Sequence, residues 1–521
     1  MGLNMNYRRL SCPRSVRLQI ASVSARLRLY DAANSVRKYV LTNPYRNELS
    51  QRRSRISGLY CLVIGTILAT PAASSEPTPP TRKKTAFDLY VETPDKAFSW
   101  KLVQEHETPE AITYVVDMTS QRWRTGNEVN RPIWQHWLTI VRPKNVRSQT
   151  AMLFIGGGRN GNQPPGQAPE SILQLALASQ TIVCELGTIP NQPLIFHNDG
   201  VERSEDDLIG YAWNQYLKTE DPHWLPRLPM VKAVVRAMDT VQAFLKSRKT
   251  KPLSIDQFVI AGGSKRGWTT WMTAAADRRV TAILPIVIDV LNVKISMDHH
   301  YAAYGFWAPA IGDYVHHKVT HRRNSPRYAK LLQLVDPYAY RTRFKMPKCI
   351  INATGDEFFL PDSSQFYFDD LPGEKHLCYV PNSNHSLGGT DALDTILAYY
   401  FSIAHDIPRP RFTWKYEAPG SLSVDTETKP THVRLWQAHN PKTRDFRVQT
   451  IGRAYRSQEL VSRSEQHYQI EIAAPKEGWT AFFVQLEFDV GAPTPLRLTT
   501  PAYVIPDKLP FSAKQAPELP E

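Results

Sequence analysis

One short segment constrains the fold of this chain more than any other: residues 257–277, QFVIAGGSKRGWTTWMTAAAD. An apolar run ends in two glycines, Ser264 follows, and a helical pattern begins directly after it. Glycines beside a serine let a strand and a helix approach closely, with the serine in strained backbone between them. The usual nucleophile pattern is Gly-x-Ser-x-Gly, whereas here the second glycine is Gly267, one residue late. On this motif alone, an ordinary tight strand-helix turn is as good an interpretation as a nucleophile.

Short apolar runs alternate with helical patterns on both sides of this turn. Runs of strand length occur at residues 136–141, 151–158, 181–186, 257–263, 280–288, 348–355 and 376–381. Between two of them, apolar residues recur at three-and-four spacing from Val231 to Leu245, which is typical of one helix face. Strands that are apolar throughout and separated by helices predict a mostly parallel sheet that is covered on both faces.

Two further side chains follow strands in an order that suits catalysis. The run 348–355 leads into Asp356, and the run 376–381 leads into His385. Serine, acid and histidine in this order, each just past the carboxyl end of a strand, predict an α/β-hydrolase-type domain with Ser264 as its nucleophile. We expect His385 to accept the Ser264 proton and Asp356 to fix the imidazole tautomer. Glu357 and Asp362 remain alternative acids, in which case Asp356 is a turn or cap residue.

An oxyanion hole is predicted from backbone N–H groups near the serine. One comes from Lys265, and another from the glycine turn after residue 155, at Gly157 or Gly158, because glycine lets the main chain approach a tetrahedral intermediate. The Lys265 side chain either adds its charge to the site or is solvated. Neither glycine pattern of a phosphate-binding loop is present in this turn.

Histidine-rich stretches at residues 298–300 and 316–321 could be drawn as a metal site. Adjacent histidines seldom point at one ion, and no His-Glu-x-x-His motif occurs, so surface or lid packing is the favoured interpretation. The sequence therefore predicts no metal and no cofactor. The tryptophans of this region favour core and lid packing over a platform for stacking nucleic-acid bases.

The positive charge of the chain is concentrated at its start. The net charge is +14, but residues 1–57 hold 12 Arg and Lys against Asp31 and Glu48, and the rest has 51 basic and 47 acidic residues. An apolar run of signal-peptide length follows at residues 58–69, and then small residues suited to cleavage near Ala72 or Ala73. This order predicts export to the periplasm or the exterior, rather than a nucleic-acid partner or a stable membrane span. An uncleaved anchor or a buried helix is the alternative.

Composition divides the chain into four parts. Residues 1–73 are the basic arm and signal-peptide-like leader, and residues 74–87 are a linker rich in Pro, Ser and Thr. Residues 88–405 form the hydrolase-like domain, in which the segments 187–229 and 290–345 break the strand-helix alternation and are interpreted as lids over the active site. Residues 406–521 contain alternating runs, at 433–438, 446–451, 467–474 and 479–488, that predict an antiparallel β-sandwich.

Several blocks of the sequence also carry a family resemblance. GGSKRGWTTW, NATGDEFFLPDSSQFYFDDLPG, VPNSNHSL, ELGTIPNQPLIF and RLPMVKAVVRAMD together resemble the PhoPQ-activated pathogenicity-related protein family, and the likeness runs from about residue 88 to the end. The resemblance implies an exported α/β-hydrolase-like protein linked to virulence and to resistance against cationic antimicrobial peptides. It does not identify the substrate: a peptide, an acyl ester and a carbohydrate ester all remain open. A secreted binding or signalling protein without turnover is the alternative to a serine hydrolase.

Overall fold

The computed structural model of the protein describes residues 84–418 and 420–519. The predicted leader, residues 1–73, and residues 74–83 of the predicted linker lie outside the described residues. At the end of that linker Thr85 caps a helix with a capping box, and Phe87 is fully buried. Folded structure therefore begins a few residues before residue 88.

The described strands and helices follow in chain order. The strands are β1 (Ser99–Glu107), β2 (Ala111–Arg122), β3 (Ile133–Pro143), β4 (Thr150–Ile155), β5 (Val183–Leu186), β6 (Gln257–Gly263), β7 (Val280–Ile286), β8 (Lys348–Ala353), β9 (Lys375–Val380), β10 (Phe412–Ala418), β11 (Ser421–Thr426), β12 (His432–Asn440), β13 (Arg456–Glu459), β14 (His467–Glu471), β15 (Trp479–Phe488), β16 (Leu496–Thr499) and β17 (Tyr503–Ile505). The α-helices are α1 (Ala86–Glu92), α2 (Glu170–Ser179), α3 (Glu205–Thr219), α4 (Arg227–Ser247), α5 (Lys265–Ala276), α6 (Val293–Tyr304), α7 (Gly312–His316), α8 (Pro326–Val335), α9 (Ala392–Ala404) and α10 (Val448–Ile451). Of the helices that the structure describes, none has the length and apolarity to cross a membrane.

Six parallel strands form the centre of the main sheet, in the order β5-β4-β6-β7-β8-β9. Their carboxyl ends lie side by side, because Gly263 of β6 pairs with Ile286 of β7 and Ala353 of β8 pairs with Val380 of β9. Parallel strands with both faces buried are expected to be apolar throughout, as these are. This arrangement brings the residues that follow β6, β8 and β9 to one edge.

Two hydrophobic cores cover the faces of this sheet. Successive residues of β6 alternate between them: Phe258 and Ile260 pack with the buried face of α4, while Val259 and Ala261 pack with α2 and α9. Period-two alternation places neighbouring side chains on opposite faces of a strand, so a continuous apolar run serves both cores. The predicted α/β-hydrolase-type sheet, covered on both sides, is confirmed.

The sheet as a whole is mixed, because antiparallel strands extend it at both edges. β1, β2 and β3 continue it beyond β5, and β16, β15, β12 and β13 continue it beyond β9. A second antiparallel sheet, β10-β11-β14, places Leu422 and Val424 in one core with Phe482 and Val484 of β15. The predicted C-terminal sandwich is therefore present, and one of its two layers is a continuation of the central sheet.

One predicted C-terminal strand is wrong. The run at residues 446–451 contains the short helix α10 instead of a strand. Asp445 accepts hydrogen bonds from the backbone N–H and side chain of Arg447 and from the Thr450 hydroxyl, which holds the chain in a turn. Local side-chain bonds of this kind compete with strand pairing.

Candidate active site

Ser264 occupies the strained turn that the sequence predicts. It lies between β6 and α5 with φ 57° and ψ −126°, a conformation that non-glycine residues rarely adopt. Its N–H donates to the carbonyl of Ile286 at 2.8 Å, and its own carbonyl accepts from the N–H of Trp268 at 2.9 Å. These bonds hold the serine at the carboxyl edge of the sheet, at the start of a helix.

The displaced glycine of the motif has a steric role. A Cβ at Gly267 would come within 2.8 Å of the Gly262 carbonyl oxygen and 2.9 Å of the Ile286 carbonyl oxygen. A Cβ at Gly262 would come within 2.9 Å of the Arg266 backbone. The two glycines thus let α5 pack directly on β6 and β7, and the extra residue between Ser264 and Gly267 does not prevent this approach.

Asp356 and His385 are bonded to each other at the sheet edge that carries this turn. Nδ1 of His385 lies 2.8 Å from Oδ2 and 3.0 Å from Oδ1 of Asp356, which also accepts the N–H of Phe358 at 2.8 Å. The alternative acids bind elsewhere: Glu357 accepts the backbone N–H of His385, and Asp362 pairs with His299 and Arg444. Of the three carboxylates considered, Asp356 is the one bonded to the His385 ring.

The environment of this pair sets its chemistry. Burial raises the pKa of Asp356, and the hydrogen bond and charge of His385 oppose that rise. Because a carboxylate accepts at Nδ1, the neutral imidazole carries its proton there and its lone pair on Nε2. Nε2 is buried and has no hydrogen-bond partner among the described residues. Phe358 is shared by both parts of the site: its ring centroid is 4.4 Å from that of the imidazole, and it lines one pocket with Ser264.

The residues predicted for the oxyanion hole surround the turn. Lys265 is the first residue of α5, where helix N–H groups lack an intrahelical acceptor. Gly157 is exposed, and a Cβ there would come within 2.9 Å of the Arg266 guanidinium. Gly158 has φ 139° and packs against Thr188. Neither glycine is among the residues that line the pocket containing Ser264.

The two cations after Ser264 form ion pairs with the first predicted lid segment. Nζ of Lys265 lies 2.8 Å from Glu205 and 3.1 Å from Asp206, and Arg266 makes two hydrogen bonds to Glu205 at 2.8 and 2.6 Å. Burial opposes ionisation of Glu205, but Arg266 and Lys265 outweigh it and lower the pKa of Glu205 to about 2. Gln192 joins this group through both Glu205 and the Gly158 carbonyl. Sequence reasoning missed Glu205, because the signal is only an acidic helix start 61 positions from Arg266.

A largely apolar cavity, called the aromatic cavity below for its seven aromatic side chains, is lined in part by Ser264. Both predicted lid segments contribute to its walls, as do the turns after β7 and β8. Its aromatic lining residues are Trp213, Trp268, Trp307, Tyr314, Tyr328, Phe358 and Phe359. Arg227, at the start of α4, also lines it and donates to the Lys265 carbonyl at 2.5 Å. The cavity can therefore hold an apolar group next to the serine.

Histidines of the two histidine-rich stretches make hydrogen bonds within the protein. Nε2 of His299 bonds to Asp362, Nε2 of His300 accepts the Ala308 N–H at 3.1 Å, and His317 lies 2.6 Å from Asp207. Within residues 84–418 and 420–519, no three His, Cys, Asp or Glu side chains are grouped to hold a metal ion. The three cysteines of this part of the chain are free and buried in β5, β8 and β9.

Comparisons with known proteins agree with this architecture. The model of a family described as PhoPQ-activated pathogenicity-related protein matches residues 87–447. Autocrine proliferation repressor protein A of Dictyostelium discoideum is 38% identical over 458 residues, which are 82% of this chain and 92% of the relative.

Solved structures with a similar fold include two esterases. The acetyl xylan esterase of Paenibacillus sp. R4 has a TM-score of 0.45 at 15% identity and covers 62% of this chain and 95% of its own. Acetyl xylan esterase 1 of Thermoanaerobacterium sp. JW/SL YS485 has a TM-score of 0.41 at 14% identity and covers 57% of this chain and 88% of its own. At such identities the likeness concerns the fold, which the strand order and the serine turn establish independently.

Proposed function

This chain belongs to the PhoPQ-activated pathogenicity-related protein family, and we propose that it is an exported serine hydrolase that cleaves an ester or amide through an acyl-enzyme. The strained backbone of Ser264 carries this proposal, because φ 57° and ψ −126° are costly and persist where function needs an exposed nucleophile. The bonded pair of His385 and Asp356 at the same sheet edge supports it.

The proposed reaction has two halves. Oγ of Ser264 attacks the carbonyl carbon while its proton passes to Nε2 of His385, and Asp356 stabilises the resulting imidazolium. The backbone N–H of Lys265, with one from Gly157 or Gly158, binds the oxyanion. The leaving group takes the proton from Nε2, and a water molecule then hydrolyses the acyl-enzyme by the reverse route. Nε2 makes no bond to Ser264 in the present structure, and such bonds often close only with substrate.

The aromatic cavity limits the range of substrates that we propose. An apolar slot favours an apolar group on one side of the scissile bond, whereas a cationic peptide would need a rim of free carboxylates. The carboxylate that lines the cavity, Asp206, already pairs with Lys265. We therefore favour an ester or amide with an apolar or aromatic group over a cationic peptide.

Active-site labelling tests the hydrolase proposal directly. A fluorophosphonate probe should label the wild-type protein on Ser264, and Ser264→Ala should remove the label while thermal unfolding stays unchanged. Peptide mapping of the labelled protein identifies the modified residue. A folded wild-type protein that never labels would contradict the proposal.

A secreted binding or signalling protein on a hydrolase fold is the second candidate. The Dictyostelium relative, at 38% identity, is named as an autocrine repressor of proliferation, which describes a signal and not an enzyme. In that case the Ser264→Ala variant should keep the biological activity of the wild type. Loss of activity in this variant would favour hydrolysis.

We also propose that the protein is exported and that it has a role in virulence. The order of basic, apolar and small residues in 1–73 supports export, and N-terminal sequencing of the mature protein should then find a start near residue 73 or 74. A retained residue 1 would contradict cleavage. The family description supports a role in virulence, for which survival of a deletion strain under a cationic antimicrobial peptide is the direct measurement.

A further inference from the structure

Arg227 is a buried cation in the wall of the aromatic cavity. Its relative exposure is 2%, and its hydrogen bonds all leave from Nη1: to the Lys265 carbonyl at 2.5 Å, to Oγ1 of Thr269 at 3.2 Å and to the Met230 sulfur at 3.7 Å. Nε is buried without a partner, and Nη2 donates to no group within the described part of the chain. One edge of the guanidinium is therefore unused.

The other cations that line the cavity are neutralised by carboxylates. They are Lys265, which pairs with Glu205 and Asp206, and Arg323, which pairs with Asp298 and Glu518. Arg227 makes no direct ion pair within the described part of the chain, and Asp206, whose charge acts on it from a greater distance, already pairs with Lys265. The wall of the cavity therefore carries one positive charge that no carboxylate contacts directly.

A buried charge without a direct ion pair is unfavourable, so its presence needs a reason. Taking a guanidinium out of water without an anion in contact is strongly disfavoured. Trp268, whose ring lies 4.8 Å from the guanidinium carbon, offsets part of this through its π face. Burial lowers the pKa of Arg227 to about 10, which leaves the group charged at neutral pH. A ligand anion would supply the missing counter-charge.

We propose that the cavity binds a part of the substrate that combines an apolar body of ring size with a free carboxylate, and that Arg227 binds this carboxylate. The proposal rests on the proposed function only in calling the ligand a substrate. Nε and Nη2 share one edge of the guanidinium, the edge that binds a carboxylate through two parallel hydrogen bonds. The aromatic walls supply the apolar contacts and exclude water, which strengthens the charge interaction.

Binding to the Ser264→Ala variant tests this without turnover. The probes are 3-phenylpropionate, its neutral amide 3-phenylpropionamide, and acetate, measured by isothermal titration calorimetry at fixed salt. We expect 3-phenylpropionate to bind at least about tenfold more tightly than the amide, and acetate to bind more weakly than both. Adding Arg227→Gln should remove the preference for the carboxylate and keep binding of the amide. Adding Arg323→Gln, at a paired arginine of the same wall, should keep the preference.

Some results would overturn the assignment. Equal binding of acid and amide would do so, as would a preference that survives in a folded Arg227→Gln protein. If that variant does not fold, a crystal structure of the Ser264→Ala protein with 3-phenylpropionate decides, because a carboxylate placed away from Arg227 contradicts the proposal. Fluorophosphonate labelling distinguishes this proposal from the proposed hydrolase function. If Ser264 is labelled but the protein does not prefer 3-phenylpropionate over its amide, only the assignment of Arg227 is contradicted. If the protein prefers 3-phenylpropionate but is not labelled, only the hydrolase function is contradicted.

Discussion

At the scale of single residues, position distinguishes the proposed catalytic acid from the neighbouring carboxylates. Three carboxylates, Asp356, Glu357 and Asp362, follow β8, and only Asp356 is bonded to the His385 ring. An acid in this place orients the imidazole and stabilises its charged form, whereas Glu357 fixes the backbone of the histidine loop. Removing the charge of Asp356 and removing the charge of Glu357 should therefore have different effects.

Asp356→Asn should slow labelling of Ser264 strongly while the protein stays folded. The amide can hold His385 in the wrong tautomer, and losses of this kind are about 10³-fold to 10⁴-fold in serine hydrolases. The rate constant of fluorophosphonate labelling measures the effect. Glu357→Gln is the matched control and should change the rate by less than about tenfold. Similar losses in both variants would show that the acid has been assigned wrongly.

Asp289 predicts a pH dependence of stability. Burial raises its pKa to about 7, against hydrogen bonds from the hydroxyls of Tyr367 and Tyr379 that lower it. A carboxyl group with a raised folded-state pKa stabilises the fold below its unfolded value of 3.8, and this contribution is lost as pH rises towards 7. Asp289→Asn lacks the buried charge, so it should gain stability relative to wild type between pH 4 and pH 8, on the order of 3 kcal/mol.

Chemical unfolding at several pH values measures this gain. The exposed Asp507→Asn is the matched control and should keep a constant difference from wild type. A stability difference for Asp289→Asn that does not change between pH 4 and pH 8 would mean that Asp289 does not titrate in this range.

At the scale of elements, the serine turn depends on contact between β6 and α5. Gly267→Ala should destabilise the protein by about 2 to 4 kcal/mol, because its Cβ would meet two backbone carbonyl oxygens that cannot move away. Urea unfolding measures the change. Gly126→Ala is the control, since a Cβ there meets no atom within 4 Å, and it should stay within about 0.5 kcal/mol. A harmless Gly267→Ala would contradict the close packing of α5.

Some of these elements could be predicted from sequence and others could not. The bounds predicted for β6 and for the strand at 479–488 match the structure, because local apolar runs define them. Ser264, Asp356 and His385 each follow the end of a strand, so their order along the chain could be read from local sequence as well. The pairing of Thr499 with Leu377 and of Arg266 with Glu205 joins residues far apart in the chain, and no local pattern encodes it. The wrong strand at α10 has a local cause, because the Asp445 side chain bonds to Arg447 and Thr450 and holds the chain in a turn.

Ion pairs and packing both attach the first predicted lid segment to the serine turn. Glu205→Gln should loosen α3, because an amide cannot neutralise both Lys265 and Arg266. Hydrogen exchange followed by mass spectrometry should show faster exchange in residues 205–219, by about tenfold. Glu220→Gln, at the exposed end of the same helix where the pairs with Arg327 and Lys330 are solvated, should leave exchange unchanged. Equal exchange in both variants would show that packing alone holds the lid.

At the scale of the whole molecule, residues near the end of the chain stabilise the sheet edge that carries the proposed site. Arg444, almost fully buried, pairs with Asp362 on the loop that follows β8, and the Val448 N–H donates to the Gly355 carbonyl next to Asp356. The described residues accordingly form one compact unit. Residues after 405 thus stabilise the loop that carries Asp356 and Asp362, and they also form the sandwich.

A chain that ends at residue 405 should therefore lose cooperative unfolding and Ser264 labelling together. Its α9 would lose the core that it shares with Phe482 and Leu498, and Asp362 would keep a buried charge without Arg444. Breaking a buried ion pair by removing one partner costs about 3 to 5 kcal/mol, which by itself is a large part of the stability of most domains. Thermal unfolding and near-ultraviolet circular dichroism measure the fold, and the fluorophosphonate probe measures the site. A truncated chain that unfolds cooperatively and is labelled at the wild-type rate would contradict this. It would show that the sandwich is a separate domain and that the loop with Asp356 and Asp362 folds without it.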